Sequence, residues 1–299
     1  MKALDRNIGS LAKPEMIERY VQTWINSIDR TRDRLRTMLM KIHKWYGQRP
    51  FDPKLLPEFA GWVRTTFAPS YAGQISGKTR MYLTWCRREG YLVNPKLMPM
   101  LGDGIRPERP TYTPEEVRRM IALFRQTPDL WRYDWDYAIT VAWHTGFRLS
   151  DVAQLQWRCV DMANGVIRMS PHKTRRLGKV VEIPFGEELR AEFERMKVER
   201  PDPVWVNEFM RLGYVSGRQR QETEFAKFCL YCGIPDKRFH NFRHSFITRL
   251  LERNVSPVLV SNLAGINLKE VMTYERMGLD SKRDALGIGA GGGSKLIGA

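Results

Sequence analysis

Three short strings in this 299-residue sequence bring together side chains that can hold an anion beside a nucleophile. The first is Thr145-Gly146-Phe147-Arg148-Leu149-Ser150-Asp151. An arginine at a tight turn before a helix can be held by an acid three residues on. In isolation the same pair reads equally as an exposed ion pair worth little. The second is His240-Asn241-Phe242-Arg243-His244-Ser245. His240 and Arg243 share one helical face, and two of the chain's five histidines fall in this string. No acidic third ligand sits nearby and a guanidinium repels cations, so metal binding is disfavoured and an anion site fits better. The structural alternative is a capping or core-edge histidine. The third string runs from Leu263 to Tyr274, the one tyrosine C-terminal to His240. A helical tyrosine is ordinarily a packing residue. As a nucleophile its phenol, with a pKa of about 10, needs a base or a positive field.

The elements that must position these strings follow from periodicity. Apolar residues at helical spacing predict helices over 14–28, 32–46, 56–67 and 75–86, broken by Gly90 and Pro95. Residues 104–112 are dense in Gly, Pro and charge and read as a linker. Thr113-Pro114-Glu115-Glu116 then signals a helix start, with a cap, Pro at the first position and acids in the first turn. Helices are expected over 133–144 and 150–157. Two β-rich runs, 165–170 and 180–184, flank His172-Lys173-Thr174-Arg175-Arg176 and predict a hairpin with a basic tip. The fold class is mainly α with a small β-hairpin or sheet. The Gly-rich end, 284–299, reads as a flexible tail.

Composition narrows the function. Lys and Arg number 49 against 33 Asp and Glu, a net charge of +16. Residues 1–103 hold 18 basic against 9 acidic side chains, and residues 104–299 hold 31 against 24. Two basic domains on a linker can close around a polyanion, nucleic acid above all. No apolar run has the length of a membrane span, and the charged first residues carry no secretory signal. Four cysteines form no disulfide framework and point to a reducing compartment. Cys229 and Cys232 spell C-x-x-C, but with no second pair or nearby histidines they read as two small, partly buried side chains.

In this order, R-x-x-D, a hairpin lysine, H-x-x-R-H and a late tyrosine resemble the tyrosine recombinase, or phage integrase, family. The resemblance covers nearly the whole chain, in the two-domain layout of Xer-type members. It implies a helical core-binding domain over 1–103 and an α+β catalytic domain over 113–283. It matches Arg148, Lys173, His240 and Arg243 to catalytic positions and Tyr274 to the nucleophile, with His240 helping the phenol and the lysine giving a proton to the departing 5′-oxygen. Asp151 matches the acid supporting the first arginine, and His244 a frequent accessory position. The implied reaction cleaves and rejoins DNA through a 3′-phosphotyrosine. It uses no cofactor, metal or ATP, and exchanges strands through a Holliday junction. The implied partners are double-stranded DNA with inverted-repeat core sites, three further copies of the chain in a tetramer, and an accessory DNA-bending or directionality protein. No membrane is implied; the expected location is the cytoplasm of a prokaryote, with a chromosomal, phage or mobile-element gene. Residues 277–286 are expected to pack on a neighbouring protomer.

One position departs from the pattern. The family places a His or Trp donor nine residues before the tyrosine, and here that residue is Gly265, or Ile266 if the turn is one residue shorter. Neither side chain donates. Losing such a donor costs about 100-fold in rate. Asn267 is a substitute donor or a turn residue. A weakened DNA-binding relative, a partner-activated enzyme and a hairpin-forming enzyme are the alternative readings. Candidate DNA contacts are Arg30, Arg32, Arg34 and Arg36, expected in a turn between helices, with residues 71–80, Arg175, Arg176, Arg218 and Arg220. In the string Arg218-Gln219-Arg220-Gln221, Arg and Gln suit the edges of guanine and adenine.

Overall fold

The computed structural model describes residues 7–24, 27, 29–102, 110–171, 178 and 180–274; the side chain of Arg30 is outside this set. The chain forms two compact units, Met1–Glu108 and Arg109–Ala299. The expected tail, 284–299, lies outside the described residues.

The first unit is helical: α1 (Pro14–Gln22), α2 (Asp29–Tyr46), α3 (Leu56–Thr66) and α4 (Pro69–Arg88). Its core takes Ile17 and Val21 from α1, Leu39 and Ile42 from α2, Phe59 and Val63 from α3, and Ile75, Tyr82 and Leu83 from α4. These are the stripes that helical spacing sets. The buried Tyr82 hydroxyl donates to the Leu11 carbonyl at 2.8 Å. Helix α1 stops at Gln22 rather than running to residue 28. Thr23 Oγ1 donates to the Tyr20 carbonyl at 2.7 Å, drawing on an acceptor of the last turn.

The second unit is built around α6 (Trp135–Thr145), in which every residue but His144 is buried. Against it pack α5 (Pro114–Gln126), α7 (Leu149–Ala153), α8 (Glu187–Glu199) and α10 (His240–Glu252). Helix α5 starts on a complete capping box between Thr113 and Glu116. The sheet is a three-stranded antiparallel meander of β1 (Val160–Asp161), β2 (Val166–Met169) and β3 (Val181–Pro184), with Ile167 opposite Ile183. The expected hairpin is therefore present, with β1 as a further edge. Helix α7 ends at Ala153 instead of continuing to Trp157. There the backbone turns extended: Leu155 and Trp157 exchange hydrogen bonds of 3.0 Å with Val206 and Val204. Helix α9 (Glu208–Tyr231) bends at Gly217. Helices α11 (Pro257–Ala264) and α12 (Leu268–Val271) complete the unit.

The end of the expected linker is not loose. Tyr112 is 3% exposed, and its ring stacks on Phe242 of α10 with centroids 4.1 Å apart. The Tyr112 amide donates to Ser245 Oγ at 2.7 Å, and Asn241 Nδ2 donates to the Pro110 carbonyl at 2.7 Å. Residues 110–112 are thus strapped to α10 by three consecutive contacts. Ser245 Oγ in turn donates to the Asn241 carbonyl at 2.8 Å. Ser245→Ala leaves the buried Tyr112 amide without an acceptor. The expected loss is about 1–3 kcal/mol, read as a lower unfolding midpoint; an unchanged midpoint would show that the stack and the Asn241 contact hold the strap without Ser245.

Candidate active site

Two helices end in the same way and face one arginine. Helix α6 closes on Gly146, which is left-handed at φ 65° and returns its amide to the Ala142 carbonyl. Helix α11 closes on Gly265, left-handed at φ 62°. Such caps leave the last carbonyls pointing outward with partial negative charge. Arg243, 3% exposed on the first turn of α10, takes up both ends: its Nη1 donates to the Gly146 carbonyl at 3.0 Å and its Nη2 to the Ala264 carbonyl. Burial and the neighbouring Arg148 push Arg243 down to about 10, so it remains cationic at neutral pH.

Arg148 is the residue before α7, in extended backbone, where the chain leaves the Gly146 turn. Its Nη1 lies 3.9 Å from Asp151 Oδ2, and Asp151 is 1% exposed. The same Nη1 is buried without a hydrogen-bond partner. A buried guanidinium donor without an acceptor is costly until an anion arrives. Arg148, Asp151, Tyr274 and Glu270 all lie near enough to Arg243 to act on its charge. The R-x-x-D pair is therefore largely buried and not the exposed pair that was its alternative reading.

Tyr274 is in the turn directly after α12, its amide bonded to the Val271 carbonyl at 2.8 Å, rather than within a helix. It belongs to a small apolar cluster of Phe246, Ile247, Val260, Ala264, Ile266 and Val271, distinct from the main core of the unit. Its hydroxyl lies 2.6 Å from Nδ1 of His244. The His240 ring stands edge-on to that of His244, with centroids 4.7 Å apart and planes at 84°. His240 is the first residue of α10 and is exposed. The resemblance gave the help for the Tyr274 phenol to His240; the residue found 2.6 Å from its hydroxyl is His244, the position matched as accessory. No sequence signal marks it, because the contact depends on where the α11–α12 turn delivers the tyrosine.

Lys173, Arg175, Arg176 and residues 277–286 lie outside the described residues. The departure at Gly265 has a backbone cause. A Cβ there would meet Val181 Cγ1 at 2.8 Å in a left-handed conformation that side chains rarely adopt. Ile266 is 5% exposed in the small cluster and turns its side chain away from solvent. Asn267 is exposed, and its side chain accepts from the Glu270 amide at 2.7 Å, which makes it the cap of α12. Gly146 is equally constrained: a Cβ would stand 2.5 Å from the Phe246 ring.

The candidate DNA contacts are divided by their partners. Arg30, Arg32, Arg34 and Arg36 lie on the first turns of α2 and not in an interhelical turn. Arg36 is committed to Glu18, at 2.6 and 2.9 Å, and to Asp33 at 2.5 Å, and its guanidinium holds Glu18 down to about 2. Arg32 pairs with Asp29, and Arg34 donates to Gln74 at 2.7 Å. Of residues 71–80, Ala72, Ile75, Ser76 and Thr79 are buried in α4. Arg218 is exposed and ion-paired with Glu222 at 2.7 Å, and Arg220 is exposed. Gln221 cannot read a base: it is fully buried and donates to the Met210 carbonyl at 2.9 Å. Cys229 and Cys232 are buried at the end of α9, their thiols pushed up by burial to about 11 and about 12. Among the described residues no cluster of three or more His, Cys, Asp or Glu is placed to hold a metal ion. No described helix is long and apolar enough to cross a membrane.

Gly265→His would put an imidazole donor back at the family's position. It is expected to destabilise the unit by about 1–3 kcal/mol and to slow any reaction at Tyr274, as measured by unfolding midpoint and rate. A variant that is as stable and faster would show that the turn can adapt.

A model of the phage integrase family matches residues 111–277. No curated protein matches the chain by sequence. Among solved structures, the integrase of the Tn1549 transposon, in complex with transposon right end DNA, is similar at a TM-score of 0.73 and 17% identity. That match covers 92% of this chain and 98% of the other. A lambda integrase tetramer bound to a Holliday junction is similar at 0.67 and 15% identity, over 86% of this chain and 76% of the other. The XerH site-specific recombinase bound to palindromic difH substrate is similar at 0.66 and 15% identity, over 92% and 84%. At these identities the structural matches speak for the fold, while the family rests on the sequence match across more than half of the chain, which covers all three strings described above. The chain belongs to the phage integrase family of tyrosine-type site-specific recombinases.

Proposed function

We propose that this protein cleaves and rejoins double-stranded DNA at specific sites, with Tyr274 forming a covalent 3′-phosphotyrosyl link. The observation that carries the reading is the buried Arg148 Nη1 without an acceptor, next to Arg243 and a tyrosine hydroxyl already in contact with an imidazole. A phosphodiester resists attack because its anion repels nucleophiles. Arg148 and Arg243 meet that resistance with fixed positive charge on the non-bridging oxygens, which grows in value as charge builds in the transition state. Lys173 on the β2–β3 connection gives a proton to the departing 5′-oxygen. His240, at the start of α10, is the family's catalytic histidine. The phosphotyrosine keeps the energy of the broken ester, so another DNA end reseals it without ATP.

Residues 1–103 serve as the core-binding domain and residues 113–283 as the catalytic domain, the two gripping a duplex at an inverted-repeat core site. Four copies on two sites exchange strands through a Holliday junction, the arrangement in which the similar lambda integrase was solved. Gly265 in place of a donor supports a second reading, an enzyme of low intrinsic rate that a partner completes. The test is covalent trapping on nicked fragments of the source DNA, denatured in detergent. Wild type is expected to stay attached, and Tyr274→Phe and Arg148→Ala to lose the adduct by at least about 100-fold. An adduct that persists in Tyr274→Phe rejects the nucleophile. Binding without any adduct favours the second reading.

A further inference from the structure

We propose that His244 is the catalytic base that takes the phenolic proton of Tyr274, a conclusion that rests on Tyr274 being the nucleophile. The hydroxyl and His244 Nδ1 are 2.6 Å apart, inside the range a proton crosses directly. The step uses the tautomer with the ring proton on Nε2, in which the phenol O–H donates and Nδ1 accepts. The ring is buried and fixed: it is 9% exposed and its edge is met by His240. His240 lies beside His244 on α10, and Arg243, on the same helix, has Arg148, Asp151, Glu270 and Tyr274 itself about it.

The step balances. As Tyr274 Oη bonds to phosphorus, its O–H bond breaks and the proton passes to His244 Nδ1. The bond from phosphorus to the 5′-oxygen breaks, and that oxygen leaves with a proton from a separate acid. On rejoining, a 5′-hydroxyl returns its proton to that separate group as its oxygen attacks the phosphotyrosine, the bond from phosphorus to Tyr274 Oη breaks, and the departing phenolate recovers the proton from His244.

The experiment compares His244→Ala and His244→Gln with wild type and Tyr274→Phe. Cleavage rates are measured on nicked DNA carrying either oxygen or sulfur at the 5′-bridging position of the scissile phosphate. Sulfur leaves as a thiolate and needs no acid. DNA binding and unfolding midpoints are measured on each protein. Both His244 variants are expected to bind DNA normally and to cleave about 100-fold slower at about pH 7. Sulfur is expected not to rescue them, and the deficit to narrow toward about pH 10 as the phenol ionises by itself. Gln accepts a hydrogen bond but takes no proton at these pH values. A Gln variant at wild-type rate would therefore reduce His244 to an orienting contact and overturn the proposal. Rescue by sulfur would make it an acid, and a deficit equal at every pH would make it structural; both overturn the proposal too. An adduct in Tyr274→Phe would instead reject the nucleophile on which the proposal stands.

Discussion

The catalytic unit depends on one buried cation placed against two helix ends. Arg243 is in the interior with its guanidinium on the carbonyls of Gly146 and Ala264. Burying a charge costs several kcal/mol unless it is paired or well hydrogen-bonded. Here the outward carbonyls of α6 and α11 offset that cost, because the two left-handed glycines aim them at the same point. The arginine therefore both ties α10 to its neighbours and keeps a positive charge next to Arg148 and Tyr274. The sequence string around each glycine is a requirement of this arrangement.

That constraint explains which parts of the site were legible in the sequence. Thr-Gly before Arg148 reads as a turn because glycine at a helix end has a local meaning. H-x-x-R-H reads as one helical face because three and four residues are one turn. Fold class followed in the same way, from stripes such as Val21, Leu39, Ile42 and Val63 and from alternation in β2 and β3. What stayed hidden was set by distant partners. Helix α7 stopped early because Leu155 and Trp157 found extended partners at Val204 and Val206. Gln221 looked like a base reader because its burial comes from the fold of α9 about Gly217. The arginines of α2 looked available because Glu18, Gln74 and the start of the helix at Asp29 cannot be read from the basic run itself.

Gly265 shows how a departure from a family pattern can be a backbone matter. A donor side chain at that position and a left-handed cap packed on Val181 are mutually exclusive. This chain keeps the cap, and with it the Ala264 carbonyl for Arg243. The tyrosine hydroxyl is meanwhile engaged by His244 from the opposite helix. The site is thus divided between a charge frame on α6, α7 and α10 and a tyrosine brought in after α11 and α12.

Among the described residues, the cluster that carries Tyr274 is small beside the main core of its unit, six buried apolar side chains against more than thirty. A region with few buried apolar contacts opens at a free energy below that of the unit as a whole. Placement of the tyrosine is consequently a separate equilibrium from folding. A substitution among Val260, Ile266 and Val271 acts on how often Tyr274 stands at the arginines, and one among the core residues of α6 acts on whether there is a protein at all.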